Sequence, residues 1–122
     1  MLFFGTEVPL GDAGTWSSDV DSYPGYVALT NYQMTVQGTL FSDQNGTLFI
    51  DQGGDVISTT QYGMEINWDY TIEIDYTGGT GIDISEAVVS PYLRLRYVNG
   101  STPQTVFRLL VSLNNTGSGE PG

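Results

Sequence analysis

The sequence predicts an all-β protein: a single antiparallel β-sandwich, jelly-roll or immunoglobulin-like, of about seven to eight strands with a loop-rich N-terminal arm. Among its 122 residues, Thr, Tyr, Val, Ile, Phe and Gly are abundant and helix formers are scarce, a composition that favours strands and turns. From Asn31 onward, apolar and polar residues alternate with the period of a half-buried strand. Turn residues interrupt this alternation at the spacing expected of a sandwich.

Residues 1–30 are predicted to form the N-terminal arm and loops. The run at 7–26 is rich in Gly, Ser, Asp and Pro, and we expect one short strand near Thr15 to Val20. The opening MLFFG is too short for a signal sequence and carries no basic residue, so we expect synthesis in the cytoplasm. No apolar run approaches the roughly 18 residues that a membrane span needs.

The predicted sandwich core covers residues 31–113. The inward-facing residues of its first two strands are Met34, Val36, Leu40, Leu48 and Ile50. If Phe41 lies opposite Phe49, the connection is a three-residue hairpin loop, Gln44-Asn45-Gly46, with Gly where a positive φ is needed.

The middle of the core is predicted to contain two further strands. Residues 69–77, DYTIEIDYT, alternate cleanly and direct Glu73 and Asp75 outward. TGGTG is a flexible turn, and the next strand alternates Ile82 and Ile84 with polar residues.

Residues 92–113, YLRLRYVNGSTPQTVFRLLVSL, are predicted to form the closing hairpin. Pro91 suits a strand start, where its missing N–H does no harm. The inward-facing residues are Leu93, Leu95, Tyr97, Phe107, Leu109, Val111 and Leu113. Residues 114–122 contain no apolar side chain and are predicted to be a flexible tail.

The charge of the chain excludes some classes of function. The chain has three arginines and fourteen acidic residues, and its net charge is −11. Such a polyanion repels phosphate backbones and anionic lipid, so we predict neither a nucleic-acid nor a membrane partner. The chain has no Cys and no His, so it lacks thiolate ligands and the usual general base. We therefore predict a protein that is not an enzyme and has no cofactor or metal.

All three cations, Arg94, Arg96 and Arg108, lie in the predicted closing hairpin. Either permitted register places Arg108 opposite Arg94 or Arg96 on the outer side of the sheet, which is unfavourable unless acids intervene. Glu73 and Asp75 could supply those acids within the chain. Alternatively, the acids belong to a neighbouring subunit that the arginines clamp.

Apolar side chains on the outer side of the predicted sheets indicate an interface. Phe41 and Phe49 are expected to face outward as a cross-strand pair, and Val106 and Leu110 share the outward parity of the last strand. Either a partner covers them, or the segment 1–30 does.

Three other activities have weaker support in the sequence. Calcium could bind oxygens of Asp12, Asp19, Asp21, Asp51 and Asp55, but no EF-hand spacing is present. A glycosidase-like acid pair could come from Glu65, Asp69, Glu73 and Glu86, but acid pairs are unavoidable in so acidic a chain. Trp16, Trp68 and the tyrosines could stack on sugars, although aromatic side chains in a small sandwich more often fill the core.

Several motifs resemble a β-sandwich module of structural proteins in tailed bacteriophages, over roughly residues 14–113. The resemblance rests on GTWSSDVD, GTLFSDQNGTLFIDQ, NWDYTIEI and PYLRLRYVNGSTPQTVFRLLVSL. The chain departs from that pattern at residues 53–68, GGDVISTTQYGMEINW, which replace a shorter run and could form a contact loop.

The resemblance implies a virion role, first as a capsid decoration (cement) protein on the capsid surface. Such a protein binds the major capsid protein, commonly as a homotrimer, and bridges capsomers. Its interface would consist of an N-terminal anchor and a set of outward contacts, namely Leu2, Phe3, Phe4, Phe41, Phe49, Arg94, Arg96 and Arg108. The alternative is a tail or fibre module that binds host-surface carbohydrate.

Overall fold

The computed structural model describes residues 2–18, 27–28, 34–53, 55–60, 63–88 and 92–115. Side chains are described for the same residues apart from 2–4, 27–28, 34, 55–60, 63–66 and 115. The strands are β1 (Leu2–Thr6), β2 (Thr15–Ser17), β3 (Val27–Ala28), β4 (Met34–Ser42), β5 (Gly46–Gly53), β6 (Asp55–Thr60), β7 (Gly63–Asn67), β8 (Tyr70–Tyr76), β9 (Ile82–Val88), β10 (Tyr92–Asn99) and β11 (Phe107–Asn115).

The described chain is all-β and forms a sandwich, as the alternation predicts. Sheet 1 has the order β1-β11-β4-β9, and sheet 2 has the order β2-β10-β5-β8, with β3 also pairing with β10. Neighbouring strands in both sheets are antiparallel. Within the described residues, no helix has the length and apolarity that a bilayer crossing requires.

The two predicted hairpins are not hairpins, because their strands lie in different sheets. β4 pairs with β11 and β9, whereas β5 pairs with β10 and β8. The connections at residues 43–45 and 100–106 therefore cross from one sheet to the other. The prediction that Phe41 lies opposite Phe49 is wrong, as is either pairing of Arg108 with Arg94 or Arg96. Alternation shows which face of a strand is buried, but not which strand lies beside it.

The N-terminal segment contributes strands to the sheets. β1 pairs with β11, with Leu2 opposite Leu113 and Thr6 opposite Leu109, and β2 and β3 pair along β10. The strand expected near Thr15 to Val20 is thus present at Thr15–Ser17. β11 continues to Asn115, two residues into the predicted tail, and the rest of the tail lies outside the described residues.

The core lies between the two sheets, and most of its residues are ones that the alternation directed inward. Its buried hydrophobic members are Val36, Leu40, Leu48, Ile50, Tyr76, Ile84, Val88, Leu93, Leu95, Tyr97, Phe107, Leu109, Val111 and Leu113. The rings of Tyr97 in sheet 2 and Phe107 in sheet 1 meet at a centroid distance of 4.8 Å. Each such side chain contributes about 1.5 to 3 kcal/mol when fully buried, so this layer holds the sheets together.

Gly46 is needed for a different reason from the one predicted. A Cβ atom on Gly46 would lie 2.2 Å from the hydroxyl oxygen of Tyr97, so any side chain here would displace that ring. Gly46 does not have the positive φ that the sequence predicts for it. Burial raises the pKa of Tyr97 to about 12, so its hydroxyl stays neutral inside the core.

A buried polar cluster closes one end of the sandwich. The Tyr76 hydroxyl in sheet 2 accepts a hydrogen bond from the Ser42 backbone N–H in sheet 1, at 2.9 Å. The Gln104 side chain donates to Ser42 Oγ and accepts from the Leu10 backbone N–H. Because these bonds join both sheets and the N-terminal segment, they fix the connections that surround the core.

Among the residues that depart from the phage-like pattern, strands β6 and β7 form a separate antiparallel ribbon. β6 and β7 pair with each other, from Asp55 opposite Asn67 to Thr60 opposite Gly63. They lie in the chain between β5 and β8, which are neighbours in sheet 2. The ribbon therefore extends from the end of sheet 2 at which β5 ends and β8 begins. Trp68 directly follows β7 in the chain.

Candidate functional site

The outer face of sheet 2 carries a row formed by Arg94, Asp51 and Thr71. β5 lies between β10 and β8, and the register sets Asp51 opposite Arg94 on one side and opposite Thr71 on the other. Arg96 lies two residues further along β10, on the same face. We call Asp51, Thr71, Arg94 and Arg96 the Asp51 cluster.

Both arginines bond to the same carboxylate. Arg94 Nε donates to Asp51 Oδ2 at 2.8 Å, and Arg96 donates through Nε to Oδ2 at 2.6 Å and through Nη2 to Oδ1 at 3.0 Å. The Thr71 hydroxyl donates to Oδ1 at 2.7 Å. These side chains cover Asp51, which is 1% exposed although it lies on an outer face.

These bonds determine the charge state of Asp51. Burial alone would raise its pKa, but the hydrogen bonds from Arg96, Thr71 and Arg94 outweigh burial and hold the pKa below the ordinary value. The carboxylate is therefore ionised at neutral pH. Removal of this buried carboxylate would break four hydrogen bonds and would therefore destabilise the native arrangement.

Aromatic rings stack on both guanidinium groups of the cluster. Arg94 lies over the Trp68 ring at 4.7 Å and Arg96 over the Phe49 ring at 4.5 Å. Phe49 is opposite Arg96 in the register. Trp68 comes from the link between the ribbon and β8, so its contact with Arg94 holds the base of the ribbon against sheet 2.

Sheet 1 presents a different surface around Arg108. Its guanidinium lies over the Phe41 ring at 4.9 Å, and Phe41 is opposite Arg108 in the register. Arg108 is exposed, and Leu110, next on the same face, is 55% exposed. Within the described part of the chain, Arg108 has neither a hydrogen bond nor an ion pair.

A groove of about 430 Å³ lies beside Arg108, and we call it the Arg108 groove. Its lining residues are Gly5, Thr6, Glu7, Thr39, Arg108, Leu109 and Leu110. Gly5 is opposite Leu110, and a Cβ on Gly5 would lie 2.2 Å from the Leu109 carbonyl oxygen. Glycine is therefore required where β1 crosses the groove, and the groove wall there is bare backbone.

The predicted interface residues fall into three separate places. Phe49, Arg94 and Arg96 lie together on sheet 2, whereas Phe41 and Arg108 lie together on sheet 1. The backbones of Leu2, Phe3 and Phe4 form β1, and their side chains lie outside the described part. Whether these residues contact a partner stays a prediction.

The acid that pairs with the arginines is within the chain, but it is not one of the two expected. Glu73 lies opposite Phe49, and Asp75 accepts a hydrogen bond from Thr47. Asp51 has the same outward parity as Phe49, and this parity indicates from the sequence that Asp51 faces outward. The sequence does not indicate Asp51 as the partner of the arginines, because β5 is predicted to pair with β4.

The structure also bears on two of the weaker alternatives. Both oxygens of Asp51, one of the carboxylates considered for calcium, accept hydrogen bonds from arginine. Glu73 is on β8 in sheet 2 and Glu86 is on β9 in sheet 1, so the sandwich separates these two members of the suggested acid pairs.

The fold and the two outer faces define a β-sandwich domain with one internally bonded face and one face with an exposed groove. A family model described as "Uncharacterised protein YqxG N-terminal domain" matches residues 2–114. The chain therefore belongs to this family. A search of curated proteins returned no match.

Proposed function

We propose that this domain is a structural module of a bacteriophage virion, which acts by binding and bridging other virion proteins. The observation that carries the proposal is the outer face of sheet 1, where exposed Leu110 and Arg108 border a groove of about 430 Å³. An apolar patch beside a cation is typical of a protein-docking surface. The phage-like motifs in the sequence support the virion context.

One location is the capsid surface, where the domain would be a decoration protein, in the form of a homotrimer that bridges subunits of the major capsid protein. The net charge of −11 favours solubility and repels packaged DNA. Many copies on one shell would also make a modest interface effective, because binding at one contact raises the effective concentration at the next.

The second candidate is a tail or fibre module, and the same phage-like motifs in the sequence support it. Carbohydrate binding in this candidate would depend on exposed aromatic side chains such as Tyr70, which is 60% exposed.

A sedimentation experiment separates the two candidates. Purified domain is mixed with expanded, undecorated shells and, in parallel, with isolated tails of the same phage, and each mixture is pelleted. A decoration protein co-sediments stoichiometrically with shells, whereas a tail module sediments with tails. Sedimentation with neither particle would contradict the virion proposal.

Two variants show which face of the sandwich is responsible for particle binding. Leu110→Asp places a charge on the exposed face of sheet 1, whereas Tyr70→Ser removes an exposed aromatic side chain from sheet 2. We expect L110D to abolish particle binding and Y70S to retain it. If instead Y70S abolishes binding to host-surface glycans, the carbohydrate-binding form of the second candidate is supported.

A further inference from the structure

We infer that the Arg108 groove holds an extended acidic segment of a partner protein, which runs beside β1, places a carboxylate on Arg108 and packs an apolar side chain against Leu110. This inference goes beyond the proposed function, because it names the chemistry of the partner segment. It also does not depend on where in the virion the domain is located.

Charge complementarity identifies the occupant. The chain contains three cations, and two of them, Arg94 and Arg96, are bonded to Asp51. Arg108 is exposed, and within the described residues its guanidinium group stacks on the Phe41 ring. Stacking leaves the N–H groups at the edge of a guanidinium available, and these groups match a carboxylate.

The strand edges indicate that the occupant is extended. β1 is the terminal strand of sheet 1 and pairs only with β11 in the described part of the chain. The terminal strands β8 and β9 carry acids, including Glu73 on β8 and Asp83 on β9, whereas β1 (LFFGT) and β2 (TWS) carry no charge. Charged side chains protect strand edges from pairing, and β1 is longer than β2, so β1 is the edge best suited to accept another strand.

Gly5 allows such a strand to approach the outer face of β11 at Leu110, two residues from Arg108. An added strand would lie about 5 Å from β1 and about 10 Å from β11, within the combined reach of an arginine and a carboxylate side chain. Since Gly5 is opposite Leu110 and has no side chain, the path across β1 is open there. Glu7 also lines the groove, so we expect the partner carboxylate at the Arg108 side and a neutral or basic residue beside Glu7.

A titration with defined peptides tests the inference. The probe is a short acetylated peptide that is rich in Thr and has one Leu and one Glu two positions apart. The comparison peptide has Lys in place of Glu. Binding is followed by amide NMR of the domain. We expect shifts confined to Gly5–Glu7, Thr39 and Arg108–Leu110, with a Kd of about 1 mM, and weaker binding of the Lys peptide.

Two variants of equal net charge show whether Arg108 itself is responsible. Arg108→Gln should weaken binding of the Glu peptide by about two- to fivefold, the range of an exposed charge pair. Ser85→Glu, at an exposed position of β9 in the same sheet, lowers the net charge equally and should leave the affinity unchanged.

Three results would overturn the inference. The first is the absence of shifts in the groove at about 1 mM peptide. The second is equal affinity of R108Q and S85E for the Glu peptide. The third is concentration-dependent shifts in the same residues without peptide, which would assign the groove to a second copy of the chain.

Discussion

On sheet 2, Arg94 and Arg96 share the carboxylate of Asp51, which is 1% exposed, and each guanidinium stacks on an aromatic ring. On sheet 1, Arg108 also stacks on a ring, that of Phe41, but it is exposed and has no carboxylate partner among the described residues. The same side-chain pair, Arg over Phe, therefore occurs on both faces in different surroundings.

The difference lies in what each cation does for the folded state. A buried carboxylate must be bonded, so Asp51 and its arginines are coupled, and the loss of Asp51 removes the acceptor that both arginines share. An exposed cation stacked on a ring contributes roughly 0.5 to 1 kcal/mol and keeps its donors available. We therefore expect the face of sheet 2 to contribute to stability, and we propose the face of sheet 1 as the one that binds a partner.

The largest expected effect comes from Asp51→Asn, which leaves two guanidinium groups without their carboxylate. We expect the free energy of unfolding to fall by about 2 to 4 kcal/mol, as measured by urea denaturation. Removal of one partner from a fully buried pair costs roughly 3 to 5 kcal/mol. Our value is lower because Arg94 and Arg96 are 21% and 35% exposed.

Glu73→Gln is the matched control, since Glu73 is an exposed acid of the same sheet and was one of the expected partners of the arginines. Its effect should stay within about 0.5 kcal/mol, as for most surface substitutions. Equal effects of D51N and E73Q would remove the distinction between the two faces.

A smaller effect is expected from pH. Because the folded state lowers the pKa of Asp51 from the ordinary value of 3.8, its contribution is complete above that value and is lost as the pH falls through the lower, folded pKa. The stability difference between the native protein and D51N should thus be constant near neutral pH and shrink below about pH 4.

Denaturation at a series of pH values, performed on both proteins, checks this prediction. Hydrogen bonds from Thr105 and Val106 lower the pKa of Asp43 in the same direction, but this contribution is common to both proteins and cancels in the difference. A difference that grows on acidification would be incompatible with an ionised, bonded Asp51.

The smallest effect on stability is expected from Arg108→Gln. It removes one exposed cation–π contact, so unfolding should become easier by no more than about 1 kcal/mol. The measurement is again urea denaturation, now compared with D51N. A loss as large as that of D51N would mean that Arg108 is a structural residue, and the proposal that sheet 1 binds a partner would lose its basis.

Much of the fold was predictable because burial has a period of two along a strand. Leu93, Leu95 and Tyr97 are buried as the alternation predicts, and so are Leu48 and Ile50. Strand neighbours were not predictable on the same basis. β4 and β5 need one apolar face whether they pair with each other or face each other across the core, so the pattern is identical in both arrangements.

The site was predictable only in part, and for the same reason. Outward parity correctly placed Phe41, Phe49 and the arginines on outer faces, since parity does not depend on the neighbouring strand. The acid bonded to Arg94 and Arg96 does depend on it. Asp51 is recognisable as their partner only once β5 is known to lie beside β10.

The central claim is that Arg94 and Arg96 donate to one buried carboxylate whereas Arg108 does not. The most direct measurement is hydrogen exchange of the arginine Nε–H groups, followed by NMR in the native protein and in D51N. We predict two slowly exchanging signals, from Arg94 and Arg96, whose exchange accelerates in D51N, and a fast signal from Arg108 in both proteins. Three signals that exchange alike in the native protein, or exchange of the Arg94 and Arg96 signals that D51N leaves unchanged, would contradict the account.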